Sequence, residues 1–179
     1  MWWILIIGAF AIFLILFFVK TYNKLKILQN KTKETLSGVE IALTKRFDML
    51  TKMSDAAKGY MQHERETLIE TIKFRKGMNV SELNDACSKM DGFAANINAV
   101  AENYPELRSA AIFQELQTGI KDAEQHLQAA RRLYNSSVTA LNNLVVTIPA
   151  NIVAGICGIS KEEFFTAEEH KKADVKIIF

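Results

Sequence analysis

Apolar residues fill the start of the chain without interruption and then thin out into steps of three and four. The first pattern is Trp2 to Val19, WWILIIGAFAIFLILFFV, eighteen residues with no charge, closed by Lys20. As a helix it reaches about 27 Å, close to the roughly 30 Å of a bilayer's hydrocarbon core. The second pattern begins at Leu36. Leu36, Val39, Leu43, Phe47, Leu50, Ala57, Met61, Leu68 and Ile72 recur at a mean step near that of a straight amphipathic helix. No breaker other than Gly38 separates the two, so the anchor and first helix are expected to form one rod. This rod runs to Arg75–Lys76, with about 84 Å of it beyond the bilayer.

Punctuation divides the rest. Gly77 suits a helix C-terminus, and Asn79 with Glu82 reads as an N-cap with its reciprocal Glu. A short turn there predicts an antiparallel second helix over about 80–102, with Leu83, Ala86, Cys87, Met90, Phe93, Ala94, Ile97, Val100 and Ala101 on its apolar stripe. Asn103-Tyr104-Pro105-Glu106 then breaks the pattern. Pro105 lacks an N–H and disfavours helical geometry at Tyr104. The break is a turn or a kink, and the spacing of Asn103 and Glu106 as cap and return favours the turn. A third helix follows over about 106–148, from Phe113 through Leu127 and Tyr134 to Ile148, and Pro149 stops it. Asn151–Ile159 is a short apolar patch. Ser160 with Glu163 repeats the capping box and predicts a short helix carrying Phe164 and Phe165. The end, Asp174–Phe179, either lies extended against the bundle or frays. The fold class is therefore all-α: an N-terminal transmembrane helix continuing into a long-helix antiparallel up-and-down bundle of about four helices. Residues 1–20 form the anchor, 21–172 the bundle and 173–179 a tail.

Charge refines the placement. Trp2 and Trp3 fit an interfacial aromatic belt, and Phe10 and Val19 lie within the anchor. Lys20, Lys24, Lys26, Lys31 and Lys33 follow it, and no acid appears before Glu34. Lysines stay on the cytoplasmic side, so the N-terminus is expected outside and the bundle in the cytoplasm, at the inner or plasma membrane. These lysines also suit anionic headgroups. No basic n-region, no A-x-A-like site and no lipobox Cys accompany the apolar run, which argues against a cleaved signal. The two cysteines, Cys87 and Cys157, form no CxxC and fit a reduced compartment. A net charge of +2 over 179 residues gives no basis for nucleic-acid binding.

Catalytic patterns are weak. His63-Glu64 opens an HExxH motif, but position 67 is Thr67, so no second imidazole faces the same metal. No P-loop and no Gly-x-Ser-x-Gly elbow is present. Cys87 on an apolar stripe reads as a small buried hydrophobe. Arg131 and Arg132, before Tyr134-Asn135, read as partners for an acid across the bundle, such as Glu64, with anion recognition as the alternative. Arg46 sits beside the core stripe, where its stem is expected to pack and its head to snorkel to water. No catalytic residue, metal or cofactor is expected.

Several stretches resemble the LemA family of bacterial membrane proteins. They are Tyr22-Asn23, Leu43–Asp48 (LTKRFD), Lys58–Glu64 (KGYMQHE), Arg75, Ala101–Leu107 (AENYPEL), Phe113 with Leu116-Gln117, Glu124, Ala130–Asn135 (ARRLYN), Val138, Asn142, Pro149–Ala154 (PANIVA) and Phe164-Phe165. The likeness covers nearly the whole chain in order. The family usually reads something like DLIPNL where this chain has Asp48–Met53, DMLTKM, so a Pro kink does not carry over. The resemblance implies a membrane helix followed by a four-helix bundle, with a cytoplasmic domain proposed for anchored forms. One branch is linked to magnetosome formation, and no enzymatic activity is established for the family. It marks Arg46, His63, Glu64, Glu102, Asn103, Tyr104, Pro105, Glu124, Arg131, Tyr134, Asn135 and Pro149 as structural or interaction residues. Of these, His63, Glu64, Tyr104, Arg131, Tyr134 and Asn135 are expected to form a cross-helix polar network. The expected function is a non-enzymatic envelope scaffold, with a self-assembling membrane organiser and a ligand sensor as alternatives. Its partners are the lipid bilayer and other proteins, and the long helix flanks also suit a homo-oligomer.

Overall fold

A computed structural model describes residues 2–59, 75 and 77–166. Every regular element among them is helical: α1 Trp2–Ala56, α2 Val80–Asn103, α3 Pro105–Ser109, α4 Ala111–Val146 and α5 Ala150–Ile156. The expected continuity holds at the anchor, because α1 passes Lys20 without a break. Its far end does not reach Lys76. The Gly77 amide donates to Glu40 Oε1 at 3.1 Å, so Gly77 lies beside α1 rather than beyond its far end. The length of α1 beyond Lys20 is about 54 Å rather than 84 Å.

Two compact units divide the chain, Met1–Leu36 with Arg132–Phe164 and Ser37–Arg131 with Phe165–Phe179. In the first unit, α1 and the end of α4 run antiparallel. Leu25 and Leu141 share a core, and Thr35 and Ser137 share a hydroxyl–hydroxyl bond of 2.7 Å ten residues further along α1. Val153, Ala154 and Ile159 complete that core, with Phe17, Tyr22, Leu28 and Cys157 against it. The sequence reading left 151–159 as a patch and placed the last helix after Ser160. The structure reverses this. Residues 150–156 are helical, and 159–166 are not. Gly158, at φ 64°, closes α5 in a Schellman motif, in which Ile159 N–H donates to Ala154 O and Gly158 N–H to Gly155 O. No helix starts at Ser160; the segment is instead tied to α4 through the Glu162 N–H and O and the Glu163 O. The Ile148–Pro149 bond that ends the α4 side of this turn is cis.

In the second unit, α2 runs parallel to α1, contrary to the antiparallel expectation. Gly77 lies beside Glu40, and Asp91 on α2 meets Arg46 on α1, so both numbers rise together. Gly77 has φ 81°, and the Asn79–Glu82 capping box forms as read from the sequence. Helix α4 runs antiparallel to both: Glu124 meets Arg46, Gly119 lies against Met49, and Gln117 bonds Asn98. The core holds Val39, Leu43, Leu50, Met53, Leu83, Met90, Phe93, Ile97, Phe113, Ala123 and Leu127.

The Pro105 break is resolved as a one-residue joint. Tyr104, at φ −124° and ψ 87°, ends α2 and precedes Pro105, which takes the first position of α3. Asn103 is thus the last residue of α2 rather than a cap, and no side chain caps α3. The expected helix over 106–148 is also two helices, since Ala110 is extended (ψ 127°) between α3 and α4.

Candidate functional site

Each anchor residue named from the sequence is exposed: Trp2, Trp3, Phe10 and Val19 all lie on a bare helix surface. This N-terminal segment of α1 is long and apolar enough to cross a membrane. The lysines that follow are not equivalent. Lys20, Lys24 and Lys33 are exposed, and Lys31 is tied to Glu34 at 3.0 Å. Lys26 bonds Gln29 and lies over the Tyr22 ring at 5.9 Å.

The second unit buries a charge cluster. Arg46 is one of the few charged side chains with almost no exposure, at 5%. Its guanidinium pairs with Asp91 of α2 and reaches Glu124 Oε2 of α4 at 3.1 Å. The snorkelling expectation for Arg46 is therefore wrong. Two carboxylates from neighbouring helices compensate the charge, so the head stays inside. Glu124 Oε2 and Arg46 Nε are buried without a well-aligned hydrogen bond, which leaves that side of the cluster held by charge. Beside it opens a cavity of about 700 Å³ whose polar lining includes Arg46, Asp91, Asn98, Gln117, Lys121 and Glu124.

Cys87 is buried one helical turn before Asp91. Burial pushes its thiol up from the ordinary range, and the nearby Arg131 guanidinium opposes that only in part. Such a thiol is a poor nucleophile, in keeping with a packing role. Among the described residues, no group of three or more His, Cys, Asp or Glu side chains is placed to hold a metal ion.

The motif residues of α4 engage the chain that follows α5. In the first unit, the buried Tyr134 hydroxyl donates to Glu163 O at 2.8 Å. Asn142 brackets Glu162: its amide donates to Glu162 O and its carbonyl accepts from Glu162 N–H, each at 2.9 Å. Burial, then Glu162 and Glu163, push the Tyr134 phenol up to about 12. In the second unit, Arg131 lies over the buried Phe165 ring at 4.7 Å, a cation–π contact. Two members of the expected polar network thus hold the chain after α5: Tyr134 bonds Glu163 and Arg131 lies over Phe165. Asn135 is half-buried, and Tyr104 is 44% exposed at the α2–α3 joint, flanked by exposed Glu102, Asn103 and Pro105. His63 and Glu64 lie outside the described residues. Pro149 is exposed and caps α5.

Asp91 was missed by sequence reasoning. The signal was present, since Asp91 lies four residues after Cys87 and so on the edge of the apolar stripe, as Arg46 and Glu124 do on theirs.

The profile of the LemA family matches residues 35–179. The chain belongs to the LemA family. Protein LemA of Metamycoplasma hominis is 27% identical over 184 aligned positions, spanning 94% of this chain and 84% of that protein. Magnetosome proteins MamQ 2 of Paramagnetospirillum magneticum and MamQ of Magnetospirillum gryphiswaldense are 29% identical over 80 residues, covering 45% of this chain and 29% of theirs. The LemA match thus covers both the Arg46–Asp91–Glu124 cluster and the Tyr134–Asn142 contacts.

Proposed function

We propose that this LemA-family chain is a membrane-anchored, non-enzymatic scaffold of the bacterial cell envelope, with the bundle on the cytoplasmic side. The observation that carries the reading is α1, whose exposed apolar stretch continues without a joint into helix that packs a core from Phe17 onward. The lysines after the span support the orientation. The buried Arg46 supports a structural role, because its guanidinium is paired within the fold with Asp91 and Glu124. A Lys33→Cys variant lacking the native cysteines tests the placement. Carbonate-washed membranes should retain it, and an impermeant maleimide should label it only after permeabilisation. Labelling in intact cells refutes the orientation, and release by carbonate refutes the anchor. The scaffold role predicts membrane partners, cross-linked in cells, that are lost when exposed residues of α2 are substituted.

A second reading, a membrane organiser, rests on the 80-residue similarity to MamQ. It requires the purified chain to self-associate on anionic liposomes and deform them. Monomeric protein on undistorted vesicles rules it out.

A further inference from the structure

We infer that α5 is a second membrane contact, an interfacial helix that lays a row of isoleucines into the bilayer beside the anchor. This inference rests on the reading of α1 as a membrane span.

Helix α5 is apolar on two opposite faces. Ala150, Val153 and Ala154 are buried in the first unit's core. Ile152 and Ile156, one turn apart on α5, face the other way at 60% and 70% exposure, and Ile148, in the turn that leads into α5, is 78% exposed. Val146 and Pro149 extend the same bare surface. Isolated exposed apolar residues need no explanation, but a contiguous set on one face marks an interaction site.

Its position identifies the occupant. Val153, Ala154 and Cys157 share one core cluster with Phe17, Tyr22 and Leu25 of α1. Lys20, where the apolar span ends, lies between Phe17 and Tyr22. The isoleucine row therefore sits at the level where α1 leaves the hydrocarbon. Its direction fits as well. Helix α4 runs antiparallel to α1 here, and α5 turns off it by 95°. With α1 crossing the bilayer, α5 lies near the bilayer plane, the geometry of a monotopic helix whose apolar face enters the headgroup–acyl boundary. Exposed Lys20 and Lys24 on α1 and Lys161 after α5 stand at the same border, matched to anionic headgroups.

Tryptophan fluorescence tests this, because Trp2 and Trp3 are the protein's two tryptophans. The full chain is reconstituted in phosphatidylcholine–phosphatidylglycerol vesicles with or without brominated acyl chains. Trp2 and Trp3 of the unmodified chain report the anchor. W2F/W3F/I152W and W2F/W3F/I156W report α5, and both substitutions fall on exposed positions that folding does not need. W2F/W3F/E34W, about 21 Å beyond Lys20 along α1, is the reference in water. The inference expects at least twofold quenching by brominated lipid for the α5 tryptophans and none for E34W. Quenched Trp2 and Trp3 with unquenched α5 tryptophans overturn the docking and leave the anchor standing. If neither set is quenched, the anchor reading falls and takes the docking with it. A blue-shifted but unquenched α5 emission means that protein covers the face, a second copy included, and also overturns the inference.

Discussion

Removing Arg46 should unfold the second unit more readily than any surface substitution. Arg46→Met keeps the length and apolar stem of the side chain but deletes the charge between Asp91 and Glu124. Breaking a buried ion pair from one side costs about 3–5 kcal/mol, because the partner charge is left without compensation. Here two carboxylates, Asp91 and Glu124, lose the same cation. Their side chains are about a quarter exposed, so water recovers part of the loss. The expected destabilisation is about 3 kcal/mol, at the low end of that range. For a chain of this size it corresponds to a fall in Tm of roughly 6–12 °C. Far-UV circular dichroism of the full chain in detergent, followed through heating and urea, reads both quantities. The compensating variant R46M/D91L/E124M should come back to within about 1 kcal/mol of the parent, since an apolar replacement of a whole buried ionic group is often neutral. A loss below about 1 kcal/mol for R46M would show that the carboxylates are solvated well enough alone, and would refute the reasoning.

Other outcomes follow from the same contacts. Ellman's reagent on the folded chain should modify half-buried Cys157 first, while buried Cys87 reacts only on unfolding; equal rates would contradict the packing role of Cys87. Tyr134 should ionise late, near pH 12, in an absorbance difference titration of the parent against Tyr134→Phe. Its phenol is raised in the folded state. The stability linked to its proton is therefore fully present below the unfolded value near pH 10 and is lost as pH rises through about 12, a loss that Tyr134→Phe abolishes. Asn142→Leu removes both bonds to Glu162 and should lower stability by about 1–2 kcal/mol. Limited proteolysis should then cut near Glu162 and Glu163 faster than in the parent.

The helical class, the long apolar N-terminal helix and the Asn79 cap were legible because each rests on local chemistry: a 3.6-residue period, an uncharged run, an Asn three residues before a Glu. Direction was not legible. The stripe from Leu36 to Ile72 fits one long helix, and nothing in its period marks the end of α1 at Ala56 or the return of Gly77 to the side of Glu40. Periodicity records which face is apolar, and it is silent on where the chain folds back. The Ser160–Glu163 signature failed for a related reason. A capping box stabilises a helix start only by satisfying local backbone groups. Here α4 holds the segment in non-helical form through other groups: Asn142 bonds the Glu162 N–H and O, and Tyr134 the Glu163 O. The site was half legible. Arg46, Glu124, Arg131 and Tyr134 were all singled out, but their partners Asp91, Glu162 and Glu163 come from other elements. Pairing across elements depends on register, which the sequence of one element does not contain.

Register also gives the Arg46 cluster a purpose beyond stability. Stripes of small and aliphatic residues at steps of three and four tolerate a slip of one turn, about 5.4 Å, with little change in apolar contact. Such a slip would set Ala42 or Leu50 of α1 against Asp91 and Glu124, taking Arg46 away from both acids and burying it among apolar side chains. The native alignment is then the only one in which all three charges meet, a use of buried ionic groups that other helical assemblies support. If so, R46M/D91L/E124M should regain stability yet lose its single alignment. Oxidative cross-linking separates the two properties. Met49 lies against Gly119, so M49C/G119C, in a chain lacking Cys87 and Cys157, should cross-link in the native register. M53C/G119C reports the register displaced by one turn. With the charge cluster intact, only the first pair should close; with it replaced, both should. Closure of the first pair alone in both backgrounds would show that packing fixes the register by itself, and that the cluster contributes stability without specifying alignment.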